Sequence, residues 1–238
     1  MHEVRGADFK LLRRMQKLAV SFVTDRGDVL LVRDPLATMK PSKSDAPPRM
    51  EVADDDRYER TRKAIQELAR RATSEPDRMC WRRLEFALFL VEGTGRRLTA
   101  VRRLTWDDID LGKGTMTWRA KADKMRVKRV VNMPPDFMRE VAQFARVLDA
   151  SFGGNVCASP KDPAVPTGRE AMHTQLLEAE AHAGPPKLDG TVWHGYRRRW
   201  ATGVDGLPEP AATYAWGLKD PRTFHRYKAV TKNDFLPM

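Results

Sequence analysis

Between residues 7 and 25 the apolar side chains Phe9, Leu11, Leu12, Met15, Leu18, Ala19 and Phe22 recur every three or four positions, which predicts a helix with one apolar stripe. Gly27 ends it, residues 29–32 read as a short extended piece, and Pro35 pushes its neighbour out of helical conformation. Residues 41–48 hold three prolines and two serines and read as an exposed linker. This divides the chain into an arm over 1–40, a linker over 41–49 and a compact domain over 50–238. In that domain, residues 54–71 open with an acidic cluster and carry Tyr58, Ile65 and Leu68 on one face, the pattern of a helix whose positive end is neutralised. Residues 81–91 are the most apolar stretch and predict a central buried helix, stopped by Gly93-Thr94-Gly95. A short helix over 98–104 buries Leu98, Val101 and Leu104, and 106–110 read as a turn. Residues 115–119 and 128–133 cluster β-branched positions on either side of a charged turn, predicting a hairpin. Further helices are expected over 134–150 (Phe137, Met138, Val141, Phe144, Leu148), 170–183, 192–204, 210–216 and 221–227, with 151–168 and 184–190 as loops. The expected class is mainly α with a small antiparallel β-sheet.

Composition narrows the function classes. With 238 residues, 41% of them hydrophobic, the chain can bury a sizeable core, while its longest apolar run, 86–91, is too short to cross a bilayer. The first residues lack the apolar centre of a secretory signal, so a cytoplasmic location is expected. Cys80 and Cys157 stand apart, outside any CxxC pair, and read as buried thiols, with no disulfide framework and no zinc site. His173 and His182, nine apart, share no helical face and read as surface residues; no metal is expected. Charge is more telling: 43 Lys and Arg against 32 Asp and Glu give a net +11, which favours a polyanionic partner through counterion release. No basic amphipathic helix or lipidation signal points to a membrane surface, so nucleic acid leads.

Breaking a phosphodiester without metal requires fixed cations on the non-bridging oxygens, a proton donor for the leaving oxygen and an oxygen nucleophile. Arg97 follows the turn Gly93-Thr94-Gly95-Arg96, from which a guanidinium can project into a cleft. His194 and Arg197 lie three apart and share one helical face. Tyr227 supplies an oxygen nucleophile, and paired arginines fork onto phosphate oxygens better than lysines do.

In this order the segments resemble a known family. Thr94-Gly95-Arg96-Arg97-Leu98-Thr99, followed by Leu104-Thr105-Trp106-Asp107-Asp108-Ile109-Asp110, is similar to the first arginine motif of the tyrosine recombinases, or phage integrases. The hairpin from Lys121-Ala122-Asp123-Lys124 to Val131-Asn132-Met133-Pro134 resembles the one bearing that family's lysine. His194-Gly195-Tyr196-Arg197 matches its His-x-x-Arg box, and the segment from Trp216 to Tyr227 its closing motif. The resemblance implies that residues 1–40 are the end of a core-binding, helical clamp domain and 50–238 the catalytic domain. It implies that Arg97 and Arg197 clamp a scissile DNA phosphate, that Tyr227 attacks it to give a 3′-phosphotyrosine, and that Lys121, or alternatively Lys124, protonates the leaving 5′-oxygen. His194 would bond the phosphate or share proton traffic with the tyrosine. No cofactor or metal is implied; double-stranded DNA and a homo-tetramer assembled on it are, at the nucleoid.

Two positions depart from the family pattern. Leu218, nine before Tyr227, stands where a histidine or tryptophan is usual and cannot hydrogen-bond phosphate, with Trp216 or His225 as possible substitutes. Ala100 stands where a carboxylate often orients the first arginine. These departures keep a second reading open, a DNA-binding protein of the same fold with weakened cleavage. A third, an RNA-binding or scaffold protein, predicts binding without duplex preference. A type IB topoisomerase is a neighbour in chemistry.

Overall fold

In the computed structural model the chain divides into two compact units, Met1–Pro48 and Arg49–Met238. The structure describes residues 14–16, 19–20, 23–28, 51–122, 126–150, 154–188, 190–203 and 208–217. In the first unit, 14–16 and 19–20 are helical, whereas 23–28 form a turn. The Gly27 N–H donates to the Thr24 carbonyl at 2.8 Å and the Asp28 N–H to Thr24 Oγ1 at 3.1 Å. The helix expected over 7–25 has therefore ended by Val23, where Thr24 offers its own side chain to the turn. The extended piece at 29–32 and the linker at 41–48 lie outside the described residues.

The second unit begins with α1, Asp55–Arg71, capped by Asp54, whose Oδ1 accepts the Arg57 N–H at 2.8 Å. Asp55 and Asp56 in its first turn and Arg70 and Arg71 in its last complement the helix dipole. Helix α2, Glu75–Thr94, starts six residues ahead of the expected 81, behind Ser74 as N-cap and a proline in the first turn. Its opening turns are polar and exposed, so hydrophobic pattern alone missed them. Further along, Phe86, Leu88, Leu90 and Val91 are fully buried, and α2 is the central element. It ends at Gly95, whose φ of +62° is the left-handed conformation that glycine adopts without strain.

Helix α3, Leu98–Arg102, is followed by a 3₁₀ turn, Trp106–Asp108, and strand β1, Ile109–Asp110. Residues 106–110 were expected as a plain turn; the Asp108 carboxylate instead closes a capping box on Thr105, and the chain leaves it extended. Strands β2, Thr115–Trp118, and β3, Arg129–Asn132, form the expected hairpin, with β1 added to give an antiparallel sheet of order β1-β2-β3. The register pairs Thr115 with Asn132 and Trp118 with Arg129. Helices α4 (Pro135–Val147), α5 (Arg169–Ala183), α6 (Val192–Gly203) and α7 (Glu209–Trp216) complete the described part. The architecture is mainly helical with one small antiparallel sheet. The helix expected over 221–227 lies outside the described residues.

The core collects around α2. Phe86 stacks on Phe144 at 4.6 Å and on Trp106 at 5.4 Å, and Phe89 on Phe137 at 4.5 Å, joining α2, the 3₁₀ turn and α4. A smaller cluster of Ala201, Ala212 and Trp216, with Trp200 against it, joins α6 to α7. Cys157 is buried and its thiol is pushed up to about 12 by desolvation, which makes it inert at neutral pH. Cys80 is only half-buried, where full burial was expected, because it lies in the early, more exposed part of α2. Among the described residues no helix is long and apolar enough to cross a membrane.

Candidate active site

The turn after α2 delivers two adjacent arginines to different places. Arg96 turns inward: it is buried, its guanidinium lies 4.9 Å from the Trp118 ring centroid, and Nη2 donates to the Tyr214 carbonyl at 3.4 Å. Arg97 is the N-cap of α3, half-buried, and its carbonyl accepts the N–H groups of Ala100 and Val101 at 2.8 and 3.2 Å. The turn fits only with glycine at its corner, since a Cβ on Gly95 would lie 2.5 Å from Trp216 Cδ1 and 2.7 Å from Trp200 Cε3.

Helix α6 carries the second arginine. Three consecutive arginines on it divide their roles. The Arg199 Nε donates to Glu92 Oε1 at 3.0 Å and its Nη1 to Asp55, and Arg198 Nη1 donates to the Glu51 carbonyl at 3.1 Å. Arg197 is 2% exposed, with its guanidinium 4.7 Å from the Trp216 ring centroid. Tyr196, between His194 and Arg197, anchors the helix. Its hydroxyl donates to Glu180 Oε1 at 2.7 Å and lies 2.9 Å from Thr61 Oγ1, while Arg57 forks onto both Glu180 oxygens at 2.8 and 2.7 Å. This buried network ties α1, α5 and α6 together, and every member has a partner. On the opposite side the Gly195 carbonyl accepts the Ala53 N–H at 3.2 Å, and a Cβ on Gly195 would lie 2.6 Å from Leu188 Cδ1.

Arg97, His194 and Arg197 line one cavity of about 270 Å³, and Arg97 and Lys121 line a second of about 310 Å³, with Thr99 also common to both. Four of the five residues picked from the sequence are thus gathered around Arg97; Tyr227 lies outside the described residues, as do Leu218, Lys124 and His225. His194 is half-buried, with Nδ1 2.7 Å from Thr191 Oγ1. Desolvation, then Arg197, Arg198, Arg97 and Arg169, hold its imidazole down at about 4, so the ring is neutral at physiological pH. Lys121 is exposed in the turn after β2, and its carbonyl accepts from Arg103 Nη1 at 2.8 Å. That turn is also braced by Arg119, whose Nε donates to Asp108 Oδ1 at 2.6 Å.

Arg169 and His173, near the start of α5, line the cavity of Arg97 and His194 as well. The sequence predicts His173 as a surface residue, whereas the packing of α5 against α6, which are separate in sequence, brings it to the cleft. The stacking of Trp216 under Arg197 was likewise not foreseen. Among the described residues no group of three or more His, Cys, Asp or Glu could hold a metal ion.

No family model and no curated protein matches the sequence. Solved structures do match. The XerA recombinase superposes with a TM-score of 0.58 at 19% identity, over 79% of this chain and 63% of that one. A lambda integrase tetramer bound to a Holliday junction gives 0.64 at 17% identity, over 92% and 57%. The XerH site-specific recombinase in a post-cleavage complex with its palindromic difH substrate gives 0.63 at 14% identity, over 92% and 61%. The chain has the fold of the tyrosine recombinases. It spans less than two thirds of the length of each of these three structures. Within this fold the packing of α2 against α6 brings residues 97 and 197, one hundred positions apart, to the lining of one cavity.

Proposed function

We propose that the chain is a DNA strand-exchange enzyme of the tyrosine recombinase family that cuts and rejoins duplex DNA through a 3′-phosphotyrosine. The observation that carries this reading is the cavity in which two arginines and a neutral histidine converge, adjoined through Arg97 by the Lys121 cavity, on a fold shared with site-specific recombinases.

In this mechanism the Arg97 and Arg197 guanidiniums bind the non-bridging oxygens of the scissile phosphate and stabilise the extra charge of the five-coordinate transition state. The Tyr227 hydroxyl releases its proton to water as its oxygen attacks phosphorus in line and the P–O5′ bond breaks, while the Lys121 ammonium gives its proton to the departing 5′-oxygen and is reprotonated from solvent. A neutral His194 whose Nδ1 accepts from Thr191 keeps its own proton on Nε2, a donor suited to phosphate. Attack by a 5′-hydroxyl of a second strand reverses the step and expels the tyrosine. The phosphodiester energy stays in the covalent bond, so no nucleotide is consumed. Strand exchange between two duplexes calls for four such sites, hence a homo-tetramer on DNA, acting at the nucleoid.

A second reading, a DNA-binding protein of this fold with weakened cleavage, is favoured by Leu218 and Ala100, which remove a phosphate donor and a carboxylate that would orient Arg97. A pool of nicked duplexes with randomised sequence around the nick separates the two. The enzyme leaves a complex stable to SDS, with phosphate mapped to Tyr227 by mass spectrometry, and Tyr227→Phe leaves none. Retention of DNA on a native gel by both proteins, with no SDS-stable complex from either, favours the binding protein.

A further inference from the structure

We propose that Glu92 is a positioning residue: through Arg199 it locks the turn bearing Arg97 to the helix bearing Arg197, so that the two guanidiniums face one phosphate. The inference rests on the phosphate-clamp reading above and adds to it a residue outside the clamp.

Glu92 is in the last turn of α2, five residues before Arg97, and Arg199 is on α6, two residues after Arg197. Their side chains are about four-fifths buried and meet at 3.0 Å, Arg199 Nε donating to Glu92 Oε1. The other branch of the Arg199 fork reaches Asp55, and the guanidinium lies 5.1 Å from the Tyr58 ring centroid. Arg199 is thereby fixed on three sides, and its bond to Glu92 spans the two elements that carry the clamp. A planar fork shared between two carboxylates holds direction as well as distance. Because Ala100 offers Arg97 no carboxylate from α3, the register of the two arginines is set from the α2 side instead.

The bridge is also sensitive to pH. Among the described residues the charged and titratable groups around the Glu92–Arg199 pair are Asp54, Asp55, Tyr58, Glu59 and Arg62 from α1 and its N-cap and Glu140 of α4, with Asp54 and Asp55 on the Arg199 side. Burial raises the Glu92 carboxyl to about 7, with Arg62 opposing and Glu140 and Glu59 adding to the rise. Above that pH the carboxylate forms an ion pair with Arg199; below it the neutral acid offers only an uncharged carbonyl oxygen to the guanidinium, and the lock loosens as pH falls. His194, held near 4, stays neutral across the same interval and cannot produce this limb.

The test uses the full chain, Glu92→Gln and Arg199→Lys, each measured from pH 6 to 8.5 in two assays. One is the rate of SDS-stable complex formation on the randomised nicked duplexes. The other is sulfate binding read from the His194 ring resonances, sulfate being a dianion throughout. Wild type is expected to lose several-fold in rate and in sulfate affinity between pH 8 and pH 6. Both variants are expected to be low and flat over the whole range, with thermal midpoints at pH 8 within a few degrees of wild type. A variant that keeps the wild-type rate or the wild-type acid limb overturns the proposal, as does sulfate affinity equal to wild type at both pH values. A variant whose activity and thermal midpoint collapse together at pH 8 also overturns it, since the role is then structural. If wild type forms no covalent complex, the cleavage reading fails and the sulfate assay alone decides the lock.

Discussion

On one side of Arg97 the cavity wall is α6, with Arg197 buried on Trp216 and the helix pinned by the Arg57–Glu180–Tyr196 network. On the other side the wall is the turn after β2, where Lys121 is exposed and its only described hydrogen bond is made by its carbonyl. The two sides ask for different physics. In the proposed mechanism charge stabilisation by a fixed guanidinium depends on preorganisation, which the core-built Arg197 side can supply. Proton donation to a leaving oxygen needs a side chain that can approach and withdraw, which an exposed lysine on a four-carbon stem can do without disturbing the core. The comparison predicts that damage on the clamp side appears in stability or in transition-state charge, and damage on the hairpin side in proton transfer alone.

The largest effect is expected from breaking the clamp's anchor. Glu180→Ala leaves Arg57 buried without its carboxylate and removes the acceptor of the Tyr196 hydroxyl. A cost of about 3–5 kcal/mol in urea unfolding is expected at pH 7.5. A loss below about 1 kcal/mol would show that α6 is held by apolar packing, and the contrast with the hairpin would lose its basis.

Next comes the clamp itself. Arg197→Lys keeps the charge but removes the planar fork, and is expected to slow covalent-complex formation by about 10²–10³-fold with DNA affinity little changed. Equal losses in affinity and rate would instead mean that Arg197 binds ground state and transition state alike.

What could be read from the sequence follows the same divide. Local signals were legible: Gly93-Thr94-Gly95 ended α2, and the β-branched runs on either side of Lys121 gave the hairpin. So was the His194–Arg197 spacing, which one helical face must keep. Missing was whatever depends on elements meeting in space: Arg169 and His173 reaching the cavity from α5, Trp216 under Arg197, and Glu92 bound to Arg199. Helical periodicity by itself does not separate neighbouring arginines, since 96 and 97, or 197, 198 and 199, differ in the direction that the finished backbone gives them; the motif resemblance is what singles out Arg97 and Arg197. The early turns of α2 were lost for the opposite reason, a polar helix start with no apolar stripe, although Ser74 and Pro76 carried a capping signal.

On the hairpin side, Lys121→Ala is expected to slow cleavage of an ordinary phosphodiester by about 10²-fold and to leave unfolding unchanged. On a substrate with sulfur in the 5′-bridging position, whose thiolate leaves without a proton, the same variant should match wild type. Failure of the sulfur substrate to restore the rate would assign the proton to another group, with Lys124 next to be tested.

The smallest effect sharpens the contrast through pH. His194 titrates near 4 in the folded chain against an ordinary 6.5, because the cavity desolvates it and places arginines around it. Below pH 6.5 the unfolded chain takes up a proton that the native chain refuses. The histidine's contribution to stability is therefore complete above pH 6.5 and is lost as pH falls toward 4. The ring is partly exposed and screened, so about 1–2 kcal/mol of the stability difference between pH 7.5 and pH 4.5 is assigned to it. Urea unfolding of wild type and His194→Gln at both pH values measures this directly: the variant should lose that much less than wild type on acidification. If the two proteins lose equally, His194 is as well hydrated as Lys121, and the clamp cavity is no more enclosed than the hairpin that faces it.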